Sequence, residues 1–336
     1  MPVLDFFNSS AFNMVSLTAA INKIPNMYGR CRELNLFPGL GVSTRTIIVE
    51  EQNGVLNLLP TMPVGAPGTL GIMGKRKVRS FAIPHIPHDD VVLPEEVQGV
   101  RLFGSENAME AVAQKIAEKL AAMRNKHAIT LEHLRIGALK GIILDADATT
   151  LYNLYTEFGI TAKTINFALT NAATEVISKC LEVKRHIEDN LKGEVMTNVH
   201  VFCSEGFYDA LTTHAKVTAA FSQFQNRQTL DGDYRRAFIF GDITFEEYRG
   251  TATDADGTAR PFIAANEAHA FPVGTQNTFR TYFAPADFNE TANTIGIELY
   301  AKQESRKFER GTDLHTQSNP LPMCARPEIL VKLTKS

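Results

Sequence analysis

Gln317-Ser318-Asn319-Pro320-Leu321-Pro322, followed after three residues by Arg326-Pro327-Glu328-Ile329-Leu330-Val331, is the stretch on which the reading of this chain turns. Arg280-Thr281-Tyr282 and Ile297-Glu298-Leu299-Tyr300-Ala301-Lys302 lie just upstream. The stretch has no catalytic logic of its own. Across the chain there is no G-x-S-x-G nucleophile turn, and Gly39-Leu40-Gly41 lacks the third glycine of a dinucleotide fingerprint. Gly68 to Lys75 fails the G-x-x-x-x-G-K-[ST] spacing, because Met73 stands where glycine is needed and Arg76 follows Lys75.

Outward from that stretch the chain alternates helical and extended segments. Val176, Cys180, Val183, Ile187 and Leu191 line one face of a helix over 170–192 that Gly193 closes. Val199 to Cys203 reads as a buried strand, Phe207 to Phe221 as helix, and Ala237–Phe240 and Ile243–Phe245 as strands. A hairpin around Asp256-Gly257 leads into Pro261–Ala264. Met109, Val112, Ile116, Leu120 and Met123 define a long helix over 105–127, capped by Ser105. A second helix is expected from a Thr130 cap to Gly141, then a strand at Ile142–Asp145. Helices and strands mix without a regular βαβ repeat, so the fold class is α+β.

The first half holds two segments with little local core. Residues 1–43 have no sustained period, although Phe6, Phe7 and Phe12 are apolar and Ser16–Asn22 is helical in pattern. They either dock on their own domain or form an arm that grips a neighbour. Thr46–Glu50 and Val55–Leu59 flank Asn53-Gly54 as a hairpin. A loop rich in Gly and Pro then leads to the strand-like run Lys75–Ile83. A two-stranded excursion of this kind is marginal in water and needs a surface to rest on. Lys75, Lys77 and Arg79 alternate, so they share one strand face. That strip suits a solvated edge, a nucleic-acid contact or an acidic patch on a partner subunit.

Composition sets outer limits. The 336 residues suffice for about two domains, with 44% hydrophobic and 21% charged residues. A net charge of −3 argues against a protein that coats duplex nucleic acid, but not against one that encloses it. Cys31, Cys180, Cys203 and Cys324 form no CxxC pair and read as buried apolar groups in a reducing compartment. Met1 to Phe12 carries Asp5 and no basic stretch ahead of an apolar core, so no signal peptide is expected, nor a membrane span. The best metal candidate is His85-Ile86-Pro87-His88-Asp89-Asp90, but Pro84 and Pro87 hold it extended and do not converge the ligands. Asp254-Ala255-Asp256-Gly257 opens like a calcium loop, yet the glycine comes too early and no Glu closes it. No cofactor is expected.

The four C-terminal segments together resemble the C-terminal signature of the major head proteins of lambda-type tailed phages, the protein E family. The resemblance extends to Thr46–Pro94, where a strand, a glycine-rich loop and a second strand end in Phe81-Ala82-Ile83-Pro84-His85 and His88-Asp89-Asp90. It implies the tailed-phage capsid fold first described for the Hong Kong phage. The implied parts are an N-terminal arm (1–43), an extended β-hairpin loop (44–95), a peripheral domain with a long spine helix (96–165), an axial domain (166–284) and a return to the peripheral domain (285–336). It implies a structural protein rather than an enzyme: the major capsid protein of an icosahedral head around double-stranded DNA.

The implied partners are further copies in hexamers and pentamers, with scaffolding, decoration and portal proteins. DNA would be enclosed without sequence-specific binding, and no membrane is involved. The location is the virion, assembled in the host bacterial cytoplasm. Phe6, Phe7, Phe12, Lys75, Lys77 and Arg79 are the contact candidates between subunits. Two alternatives stand beside this: an encapsulin-like nanocompartment shell, and a cytoplasmic metal-dependent hydrolase using His85, His88 and Asp89.

Overall fold

The computed structural model describes residues 14–23, 29–52, 76–97, 108–224, 238–253 and 257–336. The helices are α1 (Met14–Lys23), α2 (Arg30–Glu33), α3 (Pro94–Val97) and α4 (Ala108–Lys140). They continue with α5 (Leu154–Phe158), α6 (Val176–Asn190), α7 (Glu205–Thr213) and α8 (Ala215–Phe224).

The strands form separate small sheets around one larger one. A parallel pair, β1 (Gly39–Gly41) on β14 (Phe279–Phe283), is extended by β17 (Pro320–Cys324). Strands β2 (Thr46–Gln52) and β3 (Arg76–Ala82) pair only with each other among the described residues. Strand β4 (Ile86–Val92) joins β16 (Thr312–Ser318) and β15 (Tyr300–Ser305). Two short hairpins follow, β5 (Ile142–Leu144) with β6 (Thr150–Asn153), and β11 (Thr251–Thr253) with β12 (Ala259–Pro261). The six-stranded sheet comprises β7 (Lys163–Asn166), β18 (Val331–Thr334), β13 (Glu267–Val273), β8 (Asn198–Cys203), β10 (Ile243–Glu247) and β9 (Phe238–Phe240), in that spatial order.

Helix α4 ties two cores together. Ile116, Leu120 and Met123 in its first half pack with Leu17 and Ile21 of α1, Leu299, Ala301 and Leu314. Leu134, Ile136 and Leu139 in its second half enter the main core around the six-stranded sheet. The other side of that sheet is closed by α6 and α7 through Cys180, Val183, Phe207 and Leu211. The 33 residues of α4 correspond to about 50 Å.

This corrects the expected break at Thr130. The Thr130 hydroxyl donates back to the Lys126 carbonyl at 2.8 Å instead of capping a new helix. The apolar stripe runs through Leu131 and Leu134, so packing holds the helix together across a residue whose propensity favours a stop. The Ser105 cap lies outside the described residues. Helix α4 ends at Gly141, whose φ of 77° places it in the left-handed region.

A second correction concerns strand pairing. Thr46–Gln52 takes Arg76–Ala82 as its antiparallel partner, with Thr46 opposite Ala82 and Gln52 opposite Arg76. Asn53-Gly54 and Val55–Leu59 lie outside the described residues. The single helix expected over Phe207–Phe221 is two, because His214 takes an extended conformation between α7 and α8. All four cysteines are buried free thiols, and burial pushes Cys180 and Cys324 up to about 12.

Candidate assembly surface

The β2–β3 pair has two unlike faces, set by its register. Ile47 and Val49 share the inner face with Phe81 and Arg79. Ile47 and Phe81 are buried. Phe81 meets Tyr152 edge-on at 5.4 Å and stacks on Phe158 at 6.2 Å. Tyr152 donates its hydroxyl to the Ala82 carbonyl at 2.8 Å. The outer face carries Ile48 and Val78, which are 66% and 61% exposed.

Arg79 belongs to the inner face, and its contacts are within its own chain. Its Nε donates to the Glu157 carbonyl at 2.8 Å and its Nη2 to the Phe158 carbonyl at 3.4 Å. The guanidinium lies 4.6 Å above the Phe158 ring. These carbonyls end α5, where the helix dipole favours a cation. Asn153 holds the other end of α5 by accepting from the Tyr155 and Thr156 N–H groups. The Lys77 backbone pairs with Glu51 in register, its side chain is not among those described, and Lys75 lies outside the described residues. The Tyr152 and Phe158 platform escaped sequence reasoning, since nothing local links it to residues some 70 positions earlier. Ile48 and Val78 escaped it as well, and strand alternation is the signal that could have found them.

Phe6, Phe7 and Phe12 also lie outside the described residues. The remaining part of the expected arm docks on its own chain. Leu17 and Ile21 of α1 are buried, and the Thr18 hydroxyl both donates to the Ala301 carbonyl and accepts from its N–H. Beyond it, the Cys31 N–H donates to Glu132 Oε1 at 3.0 Å and Arg30 pairs with Glu246 at 2.7 Å. His200 lies 2.9 Å from the other Glu246 oxygen. Burial would raise the Glu246 carboxyl, but His200 and Arg30 outweigh it and hold the pKa below the usual range.

The histidine–acid stretch is divided by strand alternation. Asp89 points outward to His315, while His88 faces α4 beside Lys126 and the His127 ring. His85 lies 3.0 Å from Asn319 Oδ1, and Gln317 Nε2 is 3.0 Å from the same imidazole nitrogen. Burial lowers His88, assisted by Lys126, and takes His127 down to about 4, assisted by His88 and His315. Among the described residues no three ligand-type side chains converge on a metal position. The Gly68–Lys75 loop and Asp254–Asp256 lie outside them.

The C-terminal signature wires the chain to itself. Gln317 and Asn319 are buried; Asn319 Nδ2 donates to the Pro285 carbonyl at 2.7 Å, and Ser318 donates to the Glu298 carbonyl at 2.7 Å. Arg326 reaches the Leu191 carbonyl and Glu194, and Lys192 pairs with Glu328 at 2.9 Å. Ile329, Leu330 and Val331 are buried beneath these polar links. Arg326 and Glu328 form a polar clamp around the end of α6.

Comparison with known proteins agrees with this geometry. The family model described as phage major capsid protein E matches residues 13–335. The chain is 30% identical over 339 residues to the major capsid protein of Pseudomonas phage KPP10, with 96% of each chain covered. It is 29% identical over 353 residues to that of Salmonella phage Felix O1, again with 96% of each covered. Among solved structures, the capsid of cyanophage P-SCSP1u superposes with a TM-score of 0.51 at 11% identity, covering 90% of this chain and 86% of that one. The chain belongs to the phage major capsid protein E family.

Proposed function

We propose that this chain is the shell subunit of a tailed-phage head, a structural protein whose working parts are its contacts with copies of itself. The family match across residues 13–335 carries this reading. Copies associate as hexamers and pentamers around symmetry axes, and the closed icosahedral shell is stable because many weak contacts act together. The arm (1–43), extended loop (44–95), peripheral domain (96–165 with 285–336) and axial domain (166–284) are the proposed division of labour.

Phe6, Phe7 and Phe12 bury against neighbours, and Lys75 and Lys77 meet an acidic patch on one. Arg79 contributes from within, holding the hairpin in place. The net charge of −3 suits a wall that encloses double-stranded DNA without reading its sequence. Assembly takes place in the host bacterial cytoplasm, with scaffolding, decoration and portal proteins as further partners. Catalysis and cofactors have no part in it.

Expression of the full chain, alone and with the scaffolding protein of its phage, followed by sedimentation velocity and negative-stain imaging, tests the reading. Rings of capsomer size or hollow shells of uniform diameter are expected. Only monomers and dimers under both conditions would overturn it.

A further inference from the structure

The two most exposed large apolar side chains among the described residues are Phe308, 87% exposed, and Val195, 79% exposed. Phe308 stands at the tip of the hairpin that joins β15 to β16. Its φ of 61° lies in the left-handed region, which a bulky side chain adopts only under constraint and which a turn ordinarily gives to glycine or asparagine. The ring is therefore held in a strained backbone while it buries nothing in its own subunit, which is the pattern of a contact residue. Arg310 sets its guanidinium 5.8 Å from the ring centroid, and Lys307 precedes the ring. Neither cation forms an ion pair with a described side chain.

Val195 lies just past the end of α6, between two residues that line a cleft of about 400 Å³, Glu194 and Met196. Leu191, Lys184 and Glu188 line it as well. Glu194 is held by Arg326 and the Thr278 hydroxyl, and Lys184 pairs with Asp242. Glu188 forms no ion pair with a described side chain, so it is the carboxylate left at the cleft. An apolar lip beside an unpaired carboxylate is the complement of a ring beside unpaired cations. Within one subunit Phe308 and Val195 do not cover each other, since both stay exposed.

We propose that the Phe308 tip of one copy seats against Val195 and the cleft beside the end of α6 in a second copy, with Lys307 and Arg310 meeting Glu188. This rests on the shell reading and adds a contact made by neither the arm nor the extended loop. Tip and cleft are different surfaces, so the contact is heterologous: each copy gives one tip and receives another.

Full-length Phe308→Gly tests the knob, assembled under the conditions that give particles from the parent. Glycine takes a positive φ without strain, so the thermal midpoint of the subunit should stay within a few degrees of the parent. Particle yield should fall about tenfold. Parent-like yield would overturn the contact, and so would a clearly lowered midpoint, because the ring would then support its own subunit. If the parent itself forms no particles, the shell reading fails and the contact falls with it.

Co-assembly of Lys307→Cys with Val195→Cys under mild oxidation tests the acceptor. The native thiols are all buried, so the background is silent. Disulfide-linked dimers are expected from mixed particles, and mixed particles without dimers would overturn the pairing while leaving the shell reading intact. If these variants do not assemble, a charge exchange decides. Glu188→Lys is expected to lower particle yield about tenfold, and adding Lys307→Glu with Arg310→Glu to return it to within about threefold of the parent. No recovery would overturn the pairing.

Discussion

The guanidinium of Arg79 lies 4.6 Å above the ring of Phe158 while its Nε donates to the Glu157 carbonyl. One side chain thus joins the base of the β2–β3 pair to the end of α5. Such a cation–π contact at a partly exposed site contributes about 0.5–1 kcal/mol. Arg79→Ala should therefore lower the unfolding free energy of the subunit only modestly. It should speed amide exchange across Arg76–Ala82 at least severalfold, because the strand loses its lateral tie. Hydrogen-exchange mass spectrometry checks this. Arg79→Lys, with a charge but no planar fork, should recover the thermal midpoint better than the exchange protection. Unchanged exchange in Arg79→Ala would show that Phe81 and Tyr152 suffice as the anchor.

Two buried histidines make the subunit sensitive to acid. His127 is held down to about 4 and His269 to about 3, in each case chiefly by burial, so both stay neutral in the fold. In the unfolded chain each takes up a proton near pH 6.5. Between about pH 6.5 and the folded pKa the unfolded state binds more protons, so stability falls as pH falls. At pH 4.5 the loss relative to pH 7 is about 2–3 kcal/mol for each histidine. His127→Gln keeps a partner for Thr316, which lies 2.9 Å from His127 Nε2, and removes the titration. Its urea midpoint should fall less between pH 7 and 4.5 than that of the parent. Equal slopes would mean that His127 is protonated in the fold.

Asn319 accounts for why its motif can be diagnostic without being catalytic. Its Oδ1 meets Gln317 Nε2 and His85, its Nδ2 donates to Pro285, and its backbone carbonyl accepts from the Ala284 N–H. Asn319→Ala leaves the Pro285 carbonyl without this partner, while Gln317 Nε2 keeps the His85 nitrogen at 3.0 Å. A buried polar group left unsatisfied costs about 1–3 kcal/mol, and that is the loss expected here. Chemical denaturation of the purified subunit measures this, and a change below about 1 kcal/mol would mean that water replaces the side chain.

Much of this was legible along the chain because local periodicity and burial agree. Val176, Cys180, Val183 and Ile187 repeat every three or four residues and are all buried on α6, and every residue from Val199 to Cys203 is buried in β8. Thr130 misled because a hydroxyl that caps one helix can bond backward in another, and only tertiary packing decides. The partner of Thr46–Gln52 was hidden because Asn53-Gly54 is a strong local turn signal, whereas Arg76–Ala82 lies beyond a long Gly- and Pro-rich loop. The Arg79 platform required knowing which residues some 75 positions away the fold brings alongside.

The expected arm gives the sharpest case. Sequence alone predicts that removing residues 1–43 leaves a folded subunit that cannot close shells. Yet Leu17, Ile21, Cys31, Leu36 and Phe37 are all buried, and Phe37 packs 5.3 Å from Phe279. Strand β1 covers β14, and the Val42 N–H donates to the Phe283 carbonyl at 2.8 Å. Each of the larger apolar side chains contributes about 1.5–3 kcal/mol by burial. Their combined loss approaches the whole stability of a typical domain, about 5–15 kcal/mol. Deletion of 1–43 should therefore give an aggregated or unfolded chain, and deletion of 1–13 should leave the thermal midpoint within a few degrees of the parent. Only the shorter deletion separates folding from assembly. Loss of closed shells with an unchanged midpoint would place Phe6, Phe7 and Phe12 in contacts between copies, and normal shells would exclude that role.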